Sequence, residues 1–195
     1  MRLLSTAILL VAALASASAH GAAITVNGTF SALDPTVNAR TTRDGAADTC
    51  ATPKAFPGTT GGTTHYQSYS FFNSGPAECV TVAQVADGSS FGPSLFVIAY
   101  GPGGFNPSNA SSNYLADAGQ SGSGNSYTVN VGANSAFTLV AFDIYSAFAN
   151  YTFSVTGDNL NRGSAVVPEP GLIALLSIGM LATVGAARRG KSRVT

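Results

Sequence analysis

Between residues 65 and 156 apolar side chains recur at every second position, and no other feature limits the fold of this chain so tightly. Tyr69 and Phe71 share one face of segment 67–73, and Val80 and Val82 share one face of 78–85. Tyr127, Val129 and Val131 alternate with Thr128 and Asn130; Tyr151, Phe153 and Val155 alternate with Thr152, Ser154 and Thr156. Successive side chains on a strand point to opposite faces, so this period predicts strands with one buried and one solvated face. Segment 95–100, Leu-Phe-Val-Ile-Ala-Tyr, is apolar on both faces, which predicts a covered central strand, and 137–144 reads as a further strand. The gaps are rich in turn formers and carry no helical period. The pattern predicts an all-β chain, an antiparallel β-sandwich.

Ahead of this block, 23–27 alternates and reads as a first strand. Residues 31–64 show little periodicity, and Gly-Thr-Thr-Gly-Gly-Thr-Thr at 58–64 belongs with them as an irregular segment or edge elements. The net charge of zero hides an asymmetry. Arg2, Arg188, Arg189, Lys191 and Arg193 lie at the extreme ends. Between His20 and Val167 the acids Asp34, Asp44, Asp48, Glu78, Asp87, Asp117, Asp143 and Asp158 face only Arg40, Arg43, Lys54 and Arg162. A mildly acidic interior with no basic stripe leaves nothing to neutralise phosphates, so nucleic acid is excluded as a partner.

Both ends carry targeting signals. Arg2 precedes a short apolar run, 3–14, and a small-residue site at Ala17-Ser18-Ala19: the three parts of a secretory signal peptide, with cleavage expected before His20. At the other end Pro168-Glu169-Pro170 precedes 171–187, an uncharged and mostly apolar stretch, and then the basic cluster of Arg188, Arg189, Lys191 and Arg193. The stretch lies at the lower limit for a membrane-spanning helix, and the basic cluster places the last residues in the cytoplasm and the domain outside. The expected organisation is therefore a signal peptide (1–19), a first strand and irregular segment (20–64), the sandwich core (65–160), a linker with the Pro-Glu-Pro motif (161–170), a transmembrane helix (171–187) and a basic tail (188–195).

The motif, the apolar segment and the basic tail, in that order at the end of the chain, resemble the PEP-CTERM sorting signal of Gram-negative bacteria. The resemblance implies an exosortase-type processing enzyme as partner, cleavage near Pro168-Glu169-Pro170, transient anchoring in the inner membrane and final residence at the outer surface or outside the cell. A second resemblance covers residues 40 to 158. Thr49-Cys50-Ala51-Thr52-Pro53-Lys54, His65-Tyr66-Gln67-Ser68-Tyr69-Ser70-Phe71, Glu78-Cys79-Val80-Thr81-Val82 and Asn113-Tyr114-Leu115-Ala116-Asp117-Ala118-Gly119, with the strands at 95–100, 126–131 and 151–157, are similar to the bacterial pre-peptidase C-terminal domains. That likeness implies a non-catalytic accessory module.

The two cysteines of an exported chain favour a disulfide, because the compartment is oxidising and no ligand cluster surrounds them. If Val80 and Val82 point to the core, Cys79 and Thr81 point away from it. A Cys50–Cys79 bridge would then lie outside the sheet, with Cα atoms within about 7 Å. It would pin 48–64 there and cover Phe72.

Signals for chemistry are sparse. The histidines are His20 and His65; Gly119-Gln120-Ser121-Gly122-Ser123 departs from the G-x-S-x-G elbow at its last position, and no paired-histidine spacing for zinc occurs. A thiol dyad of Cys50 or Cys79 with His65 competes with the disulfide and loses to it in this compartment. No cofactor is expected, with calcium as the alternative, held by Asp44, Asp48, Asp117, Asp143 and Asp158 as loop or strand-end oxygens. Tyr100, Phe105 and Tyr114 around Gly101-Pro102-Gly103-Gly104 are either lids on the core or a surface for extracellular polysaccharide. The sequence thus reads as an exported, non-catalytic surface or matrix protein, with a glycan- or calcium-binding accessory module as the alternative.

Overall fold

Residue 21 and residues 23–163 are described by a computed structural model. Valine, threonine, tyrosine and phenylalanine at alternate positions build ten strands: β1 (Ile24–Thr29), β2 (Thr36–Thr41), β3 (Thr59–Asn73), β4 (Glu78–Asp87), β5 (Leu95–Tyr100), β6 (Tyr114–Asp117), β7 (Ser126–Val131), β8 (Ser135–Asp143), β9 (Asn150–Thr156) and β10 (Leu160–Arg162). No helix occurs among the described residues. One sheet has the order β1-β9-β4-β7 and the other β10-β3-β8-β5-β6, with β2 also paired to β3; every pairing is antiparallel. The all-β sandwich is what the alternation predicts.

The inner faces meet in one apolar layer. Val80, Val82 and Phe153 come from the four-stranded sheet and Phe71, Leu95 and Leu139 from the other, all essentially without solvent contact. Each such side chain contributes roughly 1.5–3 kcal/mol through removal of its surface from water. Tyr69 packs on this layer with its ring 5.4 Å from that of Phe153, and Phe71 stacks on Phe137 at 5.3 Å.

A second apolar layer lies on the outer face of the larger sheet, formed by Val37, Phe96, Ile98, Tyr100, Val140 and Phe142. Residues β5 and the second half of β8 are thus covered on both sides. The both-faced apolar reading of 95–100 is correct, and a solvated outer face does not apply to β8.

Two readings need correction, and one alternative is decided. The Gly/Thr run at 58–64 supplies edge elements and not an irregular segment: β3 starts at Thr59, six residues before the strand signal at His65, and pairs there with β2, Thr41 against Thr59 and Thr36 against His65. Backbone pairing holds this extension, so its side chains need no apolar pattern. Strand pairing also continues past Thr156, since β10 pairs with β3 (Leu160 with Asn73, Arg162 with Phe71) and Leu160 packs on the core. The sandwich therefore runs from Ile24 to Arg162, across the expected boundaries at 64/65 and 160/161. Finally, Phe72 is on the larger sheet and 39% exposed, so the disulfide does not cover it.

Candidate functional site

Two edge strands, β6 of the larger sheet and β7 of the smaller, leave one side of the sandwich open. The segment that follows β2 closes it. Gly45 N–H donates to Gly119 O (3.0 Å) and Asp48 N–H to Asp117 O (2.9 Å), while Thr128 N–H donates to Asp48 O (3.1 Å). Cys50 N–H donates to Thr128 Oγ1 and Asn130 Nδ2 to Cys50 O, both at 2.9 Å. Residues 45–50 thus stitch β6 to β7 and satisfy edge groups that would otherwise be open to pairing with another chain. The Cys50–Cys79 disulfide ties the same segment to β4, with Cα atoms 5.9 Å apart. Cys79 and Thr81 are exposed where Val80 and Val82 are buried, so the face parity holds.

Inside this seam lies an ion cluster. Lys54 Nζ is 2.7 Å from Asp44 Oδ1, 2.9 Å from Asp117 Oδ1 and 4.0 Å from Asp48 Oδ2, and it donates to Ala46 O at 2.5 Å. The Asp117 and Asp48 side chains are 0% and 1% exposed, Lys54 17% and Asp44 31%. Tyr114 Oη lies 2.7 Å from Asp117 Oδ2 and 3.0 Å from Asp48 Oδ2. Backbone donors complete the shell: Gly119 N–H to Asp117 Oδ1 (2.5 Å), Asp117 N–H to Asp48 Oδ2 (2.9 Å) and Lys54 N–H to Asp48 Oδ1 (2.7 Å). A buried carboxylate is tolerated only with such partners.

Three carboxylates converge here on one ammonium group, and two of them, Asp117 and Asp44, are shifted in opposite directions. Burial pushes the Asp117 carboxyl above its ordinary value, and the hydrogen bonds from Lys54, Tyr114 and Gly119 only partly oppose it. At Asp44 a slight burial effect is outweighed by hydrogen bonds from Lys54 and Ala46, which hold the group below the usual carboxylate range. Burial pulls Lys54 down, but its bonds to Asp44 and Asp117 outweigh this and leave it raised.

No protein-family model, curated protein or solved structure matches this chain.

Next to the seam, at one end of the sandwich, is a cleft of about 300 Å³ lined by Arg43, Gly45, Pro93, Gly119, Gln120 and Ser121. It adjoins a second of about 240 Å³ that shares Pro93 and Ser121. Arg43 is fixed over the rim, donating to Ser121 Oγ at 2.5 Å with its guanidinium 5.5 Å from the Tyr145 ring centre. Gln84, fully buried, holds the 119–125 wall: its Nε2 donates to Gln120 O and Gly122 O, and its Oε1 accepts from Val97 N–H. Phe91 and Tyr145 stand exposed at the same end, at 75% and 47%.

Of the five acids expected to hold calcium, three come together and two stand apart. Asp44, Asp48 and Asp117 are engaged by Lys54. Asp143 accepts from Ser94 Oγ and from the N–H groups of Ala147 and Phe148, and so shapes the 144–149 loop. Asp158 accepts from Gly21 N–H. Among the described residues no group of three or more His, Cys, Asp or Glu is placed to hold a metal ion. Tyr100, Phe105 and Tyr114 are lids: Phe105 sits 5.0 Å from Tyr100 and 5.5 Å from Phe142, and Tyr100 is fully buried.

His65 packs edge-on against Phe148, and neither ring nitrogen meets a polar partner among the described residues. Pro168, Glu169, Pro170, Arg188, Arg189, Lys191, Arg193, Ala17, Ala19 and His20 lie outside the described residues, as does the expected span 171–187. Among the described residues no helix is long and apolar enough to cross a membrane.

Sequence reasoning missed the convergence on Lys54 and the role of Gln84. A signal existed for the first, since Lys54 is the lone lysine of a charge-poor interior and lies in a turn-rich segment beside Cys50. For Gln84 there was none, because it reads as one more polar position of an alternating strand.

Proposed function

We propose that this chain is an exported protein, retained through its C-terminal tail and delivered to the cell surface or extracellular matrix, where the sandwich serves as a non-catalytic module. The observation that carries this reading is the ordered triad of Pro168-Glu169-Pro170, the apolar stretch 171–187 and the basic residues Arg188, Arg189, Lys191 and Arg193. The disulfide supports an oxidising destination. It also occupies both thiols, which speaks against the thiol dyad. A processing enzyme of the exosortase type is the partner this reading requires, with the membrane as a transient one.

Fractionation of expressing cells tests it. The intact chain should appear in processed form at the outer surface or in the medium. Replacing Pro168, Glu169 and Pro170 with alanine should trap a longer form in the inner membrane. Identical distribution of the two chains would sink the proposal.

A binding role for the module has a second, specific support. The loop end places exposed Tyr145 and Phe91 beside a polar cleft with Arg43, Gln120 and Ser121, a mixture of flat apolar faces and hydrogen-bonding groups suited to sugar rings. This moves the expected polysaccharide surface away from Tyr100, Phe105 and Tyr114. Affinity electrophoresis through extracellular polysaccharide should show retardation that Tyr145→Ala reduces; equal mobility with and without polysaccharide would leave the structural role alone.

A further inference from the structure

We propose that Lys54 and Asp117 join in an intramolecular isopeptide bond, an amide between Lys54 Nζ and Asp117 Cγ formed with release of one water. The inference stands on the seam geometry and does not depend on the sorting signal or on glycan binding.

The reacting groups are already in place. Lys54 Nζ lies 2.9 Å from Asp117 Oδ1, and both residues are held by their backbones: Asp117 through its N–H to Asp48 Oδ2 and its carbonyl to Asp48 N–H, Lys54 through its N–H to Asp48 Oδ1. Such fixed proximity replaces the entropy that an encounter between free groups would cost. Two carboxylates lie within hydrogen-bonding reach of the amine, and they differ as acceptors. Asp44 is half-exposed and held ionised by Lys54, which makes its carbon a poor electrophile. Asp117 is wholly buried and pushed toward its neutral acid, the form that an amine can attack.

Lys54 is charged in the ion pair, so the reactive state arises by transfer of one ammonium proton to Asp117 along the 2.9 Å contact, giving amine and carboxylic acid. The nitrogen lone pair then forms the N–C bond to Cγ, and the carbonyl electrons move onto oxygen. Tyr114 Oη, 2.7 Å from Asp117 Oδ2, is the donor aimed at that developing charge, while Gly119 N–H, 2.5 Å from Oδ1, holds the oxygen that becomes the leaving hydroxyl. Asp44 Oδ1, 2.7 Å from Nζ, takes the second nitrogen proton, and the departing hydroxyl receives a proton in return and leaves as water. One C–O bond breaks, one C–N bond forms, and no oxidant or reductant is needed.

The consequence is a second covalent closure of the same seam. The disulfide ties residue 50 to β4, and the amide would tie residue 54 to the end of β6, so that the segment stays closed even under reducing conditions.

Trypsin supplies the test on the full-length exported chain, because no lysine or arginine lies between Lys54 and Arg162. After reduction and alkylation, an unlinked chain releases peptide 44–54, whereas a linked Lys54 resists trypsin and yields one species spanning 44–162, lighter by one water. Lys54→Arg keeps the cation but offers no amine, so it should release peptide 44–54 and calibrate its yield. Loss of that peptide from the natural chain, with fragment ions placing the link at Asp117, is the expected result. Release in the same yield as from Lys54→Arg overturns the proposal. So does a 44–162 species lighter by one water whose fragment ions place the link at Asp44 or Asp48.

Discussion

Gly119 shows how much one residue can fix at the seam. Its φ of +67° lies in the left-handed region, and a Cβ there would meet Ala46 N and Ala46 O at 2.4 Å. Both atoms are backbone of the segment that stitches β6 to β7, so they cannot yield without opening the seam. Gly119→Ala should therefore combine a backbone penalty of about 1–2 kcal/mol with a steric one, for a loss of about 2–4 kcal/mol. Urea unfolding of the exported chain checks this; a loss below about 1 kcal/mol would show that the seam is pliable. At this scale the sequence spoke through parity. The outward direction of Cys79 followed from Val80 and Val82, because alternation assigns a face to every residue of a strand. Parity says nothing about which sheet a strand joins, and that is why Phe72 was misplaced. Nor does it separate a lid from a binding surface: Tyr100, Phe105 and Tyr114 are lids because the loop around Phe105 folds back over the larger sheet.

Among the elements, those with an apolar face were legible and those held by backbone pairing were not. β4, β5, β7, β8 and β9 stand close to where alternation places them. β2, the first six residues of β3, and β10 lie along one edge, where most side chains are exposed (Val37, Thr41 and Thr64 are buried) and the hydrogen-bond ladder supplies the order. Their sequences (Thr-Val-Asn-Ala-Arg-Thr, a Gly/Thr run and Leu-Asn-Arg) carry little period to read. The short β10 has a testable share in stability. Its removal strips the β3 edge of its partner at residues 71–73, of the bonds from Ser74 N–H to Asn159 O and from Gly163 N–H to Ser70 O, and of Leu160. At about 1 kcal/mol per hydrogen bond and a similar amount for a partly buried leucine, a fragment 20–157 should be about 2–4 kcal/mol less stable than 20–167. Fragment 20–167 keeps all ten strands and should fold in soluble form. Coincident urea midpoints for the two fragments would mean that β10 is decoration.

At the scale of the whole molecule, stability rests on one apolar layer between the sheets, a second outside the larger sheet, and the disulfide across the seam. Closing a loop with a sequence separation of 29 should contribute about 3–4 kcal/mol on the chain-entropy account. Against a typical total of about 5–15 kcal/mol that is a large fraction, so reductant alone should lower the urea midpoint markedly. If the Lys54–Asp117 amide is present, the drop should be smaller, because the seam stays closed at residue 54.

The same layers bury phenols, and this sets the response to alkali. Burial raises Tyr100, Tyr127 and Tyr151 well above the ordinary tyrosine value, and each is nearly or wholly without solvent contact. A group whose pKa is raised on folding contributes stability that is complete below its unfolded value and is lost as pH rises toward the folded one. Unfolded tyrosine loses its proton near pH ~10, whereas these three keep theirs, so the unfolded state binds fewer protons above that point and becomes favoured. Stability should be level between neutrality and pH ~9. Beyond pH ~10 it should fall by about 1.4 kcal/mol per pH unit for each phenol so held. Tyr127 isolates the effect, because its hydroxyl is buried without a hydrogen-bond partner among the described residues. Tyr127→Phe removes an unsatisfied polar atom, so it should leave stability at pH 7 unchanged or higher. It should also make the alkaline fall shallower by about 1.4 kcal/mol per pH unit. Urea midpoints measured from pH 7 to 11 on both chains decide the matter. Parallel curves would show that the Tyr127 hydroxyl is solvated or ionises freely in the folded state, and that the core around it is looser than its burial implies.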